Sequence, residues 1–109
     1  MAGLDLRDLQ AANASRQDEW PGAQAVTPSY RGNELAGEVG EACNVIKKLE
    51  RIRLGIAGST DTVEHLAEEL GDIIICAALI ANDFGIDLSA STRDKFNATS
   101  AKIGLLSRV

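Results

Sequence analysis

The chain has 109 residues, a formal net charge of −5 and a pI of about 4.7, so it lacks the basic face of a duplex-binding protein. Its 45% hydrophobic and 25% charged residues are ordinary for a folded domain and exclude a disordered chain. The longest apolar run, residues 73–81, is too short to span a bilayer, and no signal peptide is evident. We expect one cytoplasmic domain, residues 1–109, that does not contact membranes.

The first predicted helix covers residues 4–19 and ends before Pro21-Gly22, which is a turn signal. Trp20, the only tryptophan, lies at this turn. Two interpretations of Trp20 stay open at this point. It is either an anchor in the core or a flat surface on which a nucleobase stacks.

The second predicted helix starts after Thr27, a good N-cap residue, and runs to residue 53. Its apolar residues have the spacing of a buried stripe: Leu35, Val39, Ala42, Ile46 and Leu49. Glu38 and Glu41, at positions i and i+3, are neighbours on one side of that stripe. Lys48 lies beside these acids and either neutralises them, holds a phosphate, or complements the helix C-terminus.

The third predicted helix follows a glycine-bearing break at residues 55–59 and ends at Phe84, before Gly85. Residues 61–64 resemble a capping box in which Asp61 is the cap. The apolar stripe of this helix is Leu66, Leu70, Ile73, Ala77, Ile80 and Phe84. Residues 73–81 are apolar all round, as in a central helix or one in an oligomer interface.

The fourth predicted helix is capped by Asp87 and covers residues 88–102, before Gly104. Lys95 and Asn97 lie on it and either reach a ligand or remain solvated. No segment alternates apolar and polar residues as a strand does. The sequence therefore predicts an all-α, four-helix bundle, and we expect oligomerisation to complete the bundle.

Two octads, residues 34–41 and 65–72, repeat one pattern: x-Leu-Ala-x-Glu-(Val/Leu)-Gly-(Glu/Asp). Helices packed through their stripes would bring Glu38 and Glu41 to the same edge as Glu69 and Asp72. Four carboxylates repel one another, and a hard divalent cation with oxygen ligands removes that repulsion. The pattern predicts a Mg²⁺ site with Mn²⁺ as a possible substitute, and the alternative is a solvated acidic face.

The remaining residue types narrow the chemistry. The single histidine, His65, disfavours a di-iron carboxylate site or a zinc site with several imidazoles. We expect His65 on the helix surface, and the alternative is that it borders the acid site, since it lies one turn before Glu69. Cys43 and Cys76 are predicted to be buried thiols in a reducing compartment. Because Mg²⁺ commonly binds together with a polyphosphate substrate, the site favours hydrolysis of a phosphoanhydride as the reaction class.

At these residues the chain resembles the MazG-like all-α nucleoside triphosphate pyrophosphohydrolases. Glu38-x-x-Glu41 and Glu69-x-x-Asp72, separated by a helix break, are similar to the motif of that family in type, spacing and order. Residues 85–88 and 95–97 also look familial. One departure is Gly37, which stands where many members carry another glutamate and leaves the number of metal ions open.

The resemblance implies a Mg²⁺-dependent cleavage of a nucleoside triphosphate to its monophosphate and pyrophosphate, in the service of nucleotide-pool house-cleaning. The implied metal ligands are Glu38, Glu41, Glu69 and Asp72. Glu41 would activate water, and the implied substrate-binding residues are Lys48, Lys95, Asn97 and Trp20. A homodimer or dimer of dimers is implied as well.

Two alternatives stay open from the sequence. One is a non-catalytic helical interaction module, in which the acids are solvated and the apolar third helix binds a partner. The other is a hydrolase that acts on a nucleotide-like phosphoanhydride metabolite.

Overall fold

The computed structural model describes residues 3–109 and has four α-helices and no strand in that range. The helices are α1 (Leu6–Glu19), α2 (Pro28–Leu54), α3 (Val63–Asp83) and α4 (Leu88–Ile103), with a short 3-10 turn at Ala23–Ala25. The predicted all-α fold class is confirmed. No single helix in this range is long and apolar enough to cross a membrane; α3 and α4 reach that length and apolarity only as a pair, bent by 107°.

Local capping sets most of the helix ends where the sequence predicts them. The Thr27 side chain accepts a backbone N–H in the first turn of α2, and Asp87 does the same for α4. Gly55 and Gly104 end these two helices in the left-handed conformation, with φ of 71° and 80°. That conformation is strained for residues with a Cβ, so glycine is the favoured residue at both ends.

Two helix starts differ from the prediction, and the residue that forms the cap explains each of them. Asp5 accepts the N–H of Arg7, so α1 begins at Leu6 and not at residue 4. At α3, the Thr62 hydroxyl accepts the N–H of His65 at 3.1 Å. Thr62 is therefore the cap that the sequence analysis assigned to Asp61, and the Asp61 carboxylate is available for other contacts.

The described chain divides into two compact units, and each is described by itself. The first combines the chain up to Gln24 with Ala78–Val109, so it holds α1, the end of α3, and α4. The second is Ala25–Ala77, which holds α2 and most of α3. Both acid motifs lie in the second unit.

A glutamine side chain connects the elements of the first unit. The Gln10 amide nitrogen donates to Asn82 Oδ1 at 3.0 Å and to the carbonyl of Ile86 at 2.8 Å. Its Oε1 atom accepts the N–H of Leu88 at 3.0 Å. Gln10 thus holds α1 against the end of α3, the following turn and the first residue of α4.

The packed face of the second unit is rotated relative to the predicted stripes. Ala42 and Val45 are buried on α2, whereas Val39 and Ile46, both predicted to be buried, are 41% and 50% exposed. On α3 the predicted stripe residue Leu70 is likewise 48% exposed. Val39 and Leu70, the apolar residues inside the two acid motifs, therefore lie on the outside of this chain, and Glu38 and Glu69 lie closer to the packed face.

Candidate metal and active site

Helices α2 and α3 run antiparallel in the second unit and bring the two acid motifs to the same level. Near the helix break, Lys48 Nζ lies 3.8 Å from Asp61 Oδ2. At the other end, the Cys76 thiol donates to Glu34 Oε1 at 3.6 Å. Residues late in α2 therefore lie beside residues early in α3, and residues early in α2 lie beside residues late in α3. In this antiparallel arrangement the motif at 38–41 faces the motif at 69–72.

Three of the four predicted metal ligands form one cluster. Glu38, Glu41 and Glu69 each offer a carboxylate oxygen, and these oxygens lie within 4.8 Å of one another. Glu69 is buried, with 8% of its surface exposed, Glu38 is half-buried, and Glu41 is exposed. Asp72 is exposed and does not belong to this group of three.

The carboxylates come together because Glu38 and Glu69 lie on the packed faces of their helices. Glu38 precedes the buried Val45 by seven residues, and Glu69 precedes the buried Cys76 by the same number. Residues seven apart occupy nearly the same side of an α-helix. The acids thus point into the space between the helices, whereas the sequence analysis placed them to one side of the buried stripes.

The crowding of these acids perturbs Glu38. Burial, followed by the charges of Glu41 and Asp72, raises the pKa of Glu38 from 4.5 to about 7. The effect of Asp72 shows that its charge acts on the cluster from outside the group of three. The negative charge of Glu38 is therefore disfavoured when no counter-charge is present.

The donor set of the cluster fits a hard divalent cation. Glu38 Oε2 and Glu69 Oε2 are both buried and have no hydrogen-bond partner. An unpaired buried acceptor is costly, and carboxylate oxygens are the ligands that Mg²⁺ and Mn²⁺ prefer. A cation among these oxygens would satisfy both buried atoms and offset the charge that raises the pKa of Glu38.

One carboxylate of the cluster is held by the single histidine. His65 Nε2 lies 3.0 Å from Glu69 Oε1, and His65 Nδ1 lies 2.8 Å from Asp61 Oδ1. The hydrogen bond to Asp61 is the main cause that raises the pKa of His65. In turn the backbone N–H of Thr62, followed by His65, lowers the pKa of Asp61.

The ring contacts of His65 were not predicted from the sequence, although the spacing of the residues carries a signal for them. His65 was expected on the helix surface, with a place at the border of the acid site as the alternative, and Asp61 was expected only as a cap. His65 and Glu69 are four residues apart within α3, where positions i and i+4 are neighbours. Asp61 lies four residues before His65, next to the cap residue Thr62. His65 remains partly exposed, with 44% of its side-chain surface accessible, but its ring contacts the cluster.

The predicted substrate-binding residues lie in different places. Lys48 belongs to the second unit and forms the ion pair with Asp61. In the first unit, Lys95 is exposed, and the Asn97 amide exchanges hydrogen bonds of 3.1 and 2.9 Å with the backbone of Val109. Trp20 is 57% exposed, so the interpretation of Trp20 as a core anchor is wrong.

The two cysteines are free thiols of different environment. Cys76 is buried as predicted, and burial is the largest cause that raises the pKa of its thiol to about 12. Cys43 is exposed, so the prediction that it is buried is wrong. Its position follows from the rotated packing of α2, since it directly follows the buried Ala42.

Comparison with known families identifies the domain. Residues 27–104 match the MazG nucleotide pyrophosphohydrolase domain. The chain belongs to the MazG family. The match spans α2, α3 and α4 and includes both acid motifs, His65, Lys95 and Asn97, whereas Trp20 lies outside it.

A relative within the curated proteins is the Gene 37 protein of Mycobacterium phage L5. It is 32% identical to this chain over 74 residues, which are 68% of this chain and 64% of the phage protein. The match thus covers less than two thirds of the relative's length. The name of that protein states no activity.

Proposed function

We propose that this MazG-family domain is a Mg²⁺-dependent nucleoside triphosphate pyrophosphohydrolase. Water would cleave the anhydride between the α- and β-phosphates and give a nucleoside monophosphate, pyrophosphate and a proton. The observation that carries the proposal is the cluster of Glu38, Glu41 and Glu69, which has two buried oxygens without partners. A nucleotide-pool house-cleaning role is part of this proposal.

The cluster supplies the residues that would hold the cation. Glu38 and Glu69 would bind it through their buried oxygens, and Glu41 and the exposed Asp72 would complete the set from the solvent side. Mn²⁺ would substitute for Mg²⁺ because both prefer oxygen ligands. When bound, the metal would polarise a phosphoryl oxygen and neutralise charge on the leaving pyrophosphate.

Glu41 is the residue we assign to water activation. Among the three clustered acids it alone is exposed, so its carboxylate meets solvent while Glu38 and Glu69 face the packed helices. A general base must lie within hydrogen-bond reach of the water whose proton it accepts. Glu41 would accept that proton on a carboxylate oxygen as water attacks the phosphoanhydride.

The proposed substrate contacts differ in how free each side chain is in the structure. The exposed Lys95 would bind phosphates, and Asn97 would do so on release of its hydrogen bonds to the backbone of Val109. The exposed face of Trp20 is available for stacking on the base. Lys48 would contribute positive charge, although its ammonium group already faces Asp61. A cation that is paired in the free protein is a weaker phosphate ligand than an exposed one.

We also propose that the chain assembles as a homodimer or a dimer of dimers. Large apolar side chains are exposed on both helices that carry the acid motifs: Val39, Ile46, Val63, Leu70 and Ile74. Leu70 and Ile74 are four residues apart and Val63 is seven residues before Leu70, so the three share one face of α3. Burial of such a face against a second copy would stabilise the assembly.

The test of the reaction is pyrophosphate release from a panel of canonical and modified ribo- and deoxyribonucleoside triphosphates, with and without Mg²⁺. We expect Mg²⁺-dependent release with the monophosphate as the other product. Glu41→Gln should reduce turnover at least 100-fold, in the range of a lost general base. The matched control is Glu68→Gln, since Glu68 is exposed on α3 beside the cluster and is not part of it.

The outcomes separate the proposal from its alternatives. Equal loss of activity in Glu41→Gln and Glu68→Gln would contradict the role of Glu41. Absence of release across the whole panel from folded protein would favour a nucleotide-like metabolite as substrate or a non-catalytic interaction module. The exposed apolar face of α3 is the surface such a module would use.

A further inference from the structure

We infer that His65 is a positioning residue of the metal site, which holds the Glu69 carboxylate in place and is itself held by Asp61 and Lys48. The inference rests on the proposed function, because it gives His65 a task in the cation site of that proposal. It extends the site by three residues beyond the acid motifs.

The two carboxylate oxygens of Glu69 have different surroundings. Oε1 faces His65 Nε2 at 3.0 Å, whereas Oε2 is buried and has no partner. A carboxylate with one oxygen fixed by a donor has lost the freedom to rotate its oxygens. His65 therefore leaves Oε2 as the oxygen that is available to a cation.

The imidazole ring of His65 is itself held in place by a second carboxylate, that of Asp61. Its Nδ1 atom lies 2.8 Å from Asp61 Oδ1, so each ring nitrogen faces a carboxylate oxygen. Both contacts are hydrogen bonds when both nitrogens carry a proton, because carboxylates only accept.

Asp61 is in turn held by Thr62 and Lys48. The backbone N–H of Thr62 donates to Asp61 Oδ1 at 2.8 Å, and Lys48 Nζ lies 3.8 Å from Oδ2. Only about 10% of the Asp61 side chain is exposed. The chain of contacts thus runs from α2 through Lys48 and Asp61 to His65, and then returns to the cluster at Glu69.

Helix capping does not explain the ring contacts. The N–H of His65 is already accepted by the Thr62 hydroxyl at 3.1 Å, and that bond involves only the backbone of His65. The ring reaches past the cap to the next turn, where it meets the buried acid. Partners that orient metal ligands in this way commonly change metal affinity or activity 10–100-fold when they are removed.

The experiment measures metal binding without substrate, with Mn²⁺ as the probe and electron paramagnetic resonance as the readout of free ion. We expect His65→Ala to weaken Mn²⁺ binding roughly 10–100-fold. His65→Gln, whose amide can still donate to Glu69, should restore part of the loss. Glu68→Gln is the control and should bind as the wild type does, since Glu68 lies outside the cluster.

A second measurement uses the wild type alone and so does not depend on the folding of a variant. The chain has one histidine, so the ring ¹⁵N resonances in an NMR spectrum belong to His65 without assignment work. Titration with Mg²⁺, which is diamagnetic, should shift these resonances at the concentrations that saturate the site. Ring resonances that do not move at saturating Mg²⁺ would show that the contact of His65 with Glu69 does not sense the metal.

The outcomes distinguish this inference from the proposed function. If the wild type binds Mn²⁺ and His65→Ala binds it equally well, or if saturating Mg²⁺ leaves the ring resonances unchanged, the positioning role is wrong and the metal site stands. If the wild type binds neither metal, the proposed site fails, and the role of His65 fails with it. Weaker binding in His65→Ala with partial recovery in His65→Gln supports the inference.

Discussion

Replacement of Gln10 by alanine should destabilise the first unit, and the structure gives the size of the effect. The Gln10 side chain makes three hydrogen bonds: two are donated, to Asn82 and Ile86, and one is accepted, from Leu88. The bonds to Asn82 and Leu88 are partly buried, whereas water can replace the exposed bond to the Ile86 carbonyl. At a net value of about 1 kcal/mol each, two lost bonds correspond to roughly 2 kcal/mol.

Urea denaturation followed by circular dichroism measures this change in the free energy of unfolding. For a domain of this size, 2 kcal/mol corresponds to a decrease of roughly 8–16 °C in Tm. The matched control is Gln24→Ala, because Gln24 donates an exposed bond of 3.4 Å to a backbone carbonyl. That variant should lie within about 0.5 kcal/mol of the wild type. Equal stability of the two variants would refute the reasoning, since it would mean that water satisfies the groups that Gln10 contacts.

Two further predictions concern acid stability and assembly. The hydrogen bond from the N–H of Ala90, followed by that from Arg7, lowers the pKa of Asp87 in the folded protein. The ionised Asp87 therefore stabilises the folded state above the unfolded pKa of about 3.9, and this contribution is lost as the pH falls through the pKa of the folded state. Asp87→Asn should therefore be less stable than the wild type at pH 7 and should approach it near pH 3, as urea denaturation at several pH values would show. Ile74→Lys should shift the chain toward monomers in sedimentation velocity without loss of helicity, because Ile74 is exposed in the single chain and would be buried in the proposed interface. If the wild type and Ile74→Lys sediment as the same oligomer, the assigned interface is wrong.

The helices were predictable because local chemistry determines their ends. Thr27, Asp87, Gly55 and Gly104 act at the positions that the sequence assigns to them. Each cap depends on residues within one turn, so no knowledge of the rest of the chain is needed. The exception at α3 also has a local cause, since Asp61 and Thr62 are adjacent residues that can both cap, and the hydroxyl of Thr62 took that role.

The rotation of the packed faces was not predictable from periodicity. A stripe drawn through Leu35, Val39 and Ala42 assumes that the largest apolar side chains face the inside of one chain. In the structure Glu38 and Glu69 take part in the packed face, and Val39 and Leu70 are exposed. Hydrophobic periodicity cannot distinguish a face buried in the same chain from one that a second copy would cover.

This rotation connects the proposed chemistry with the proposed assembly. A pair of helices that turned all its apolar residues inward would leave Glu38 and Glu69 in solvent, where water solvates both carboxylates. With the acids turned toward the packed face, two oxygens are buried without partners, and the pKa of Glu38 rises to about 7. The same rotation exposes Val39, Leu70 and other apolar side chains. A cation between the helices and a second copy outside them would each offset one of these two costs, so we expect metal binding and assembly to stabilise the same orientation of α2 and α3.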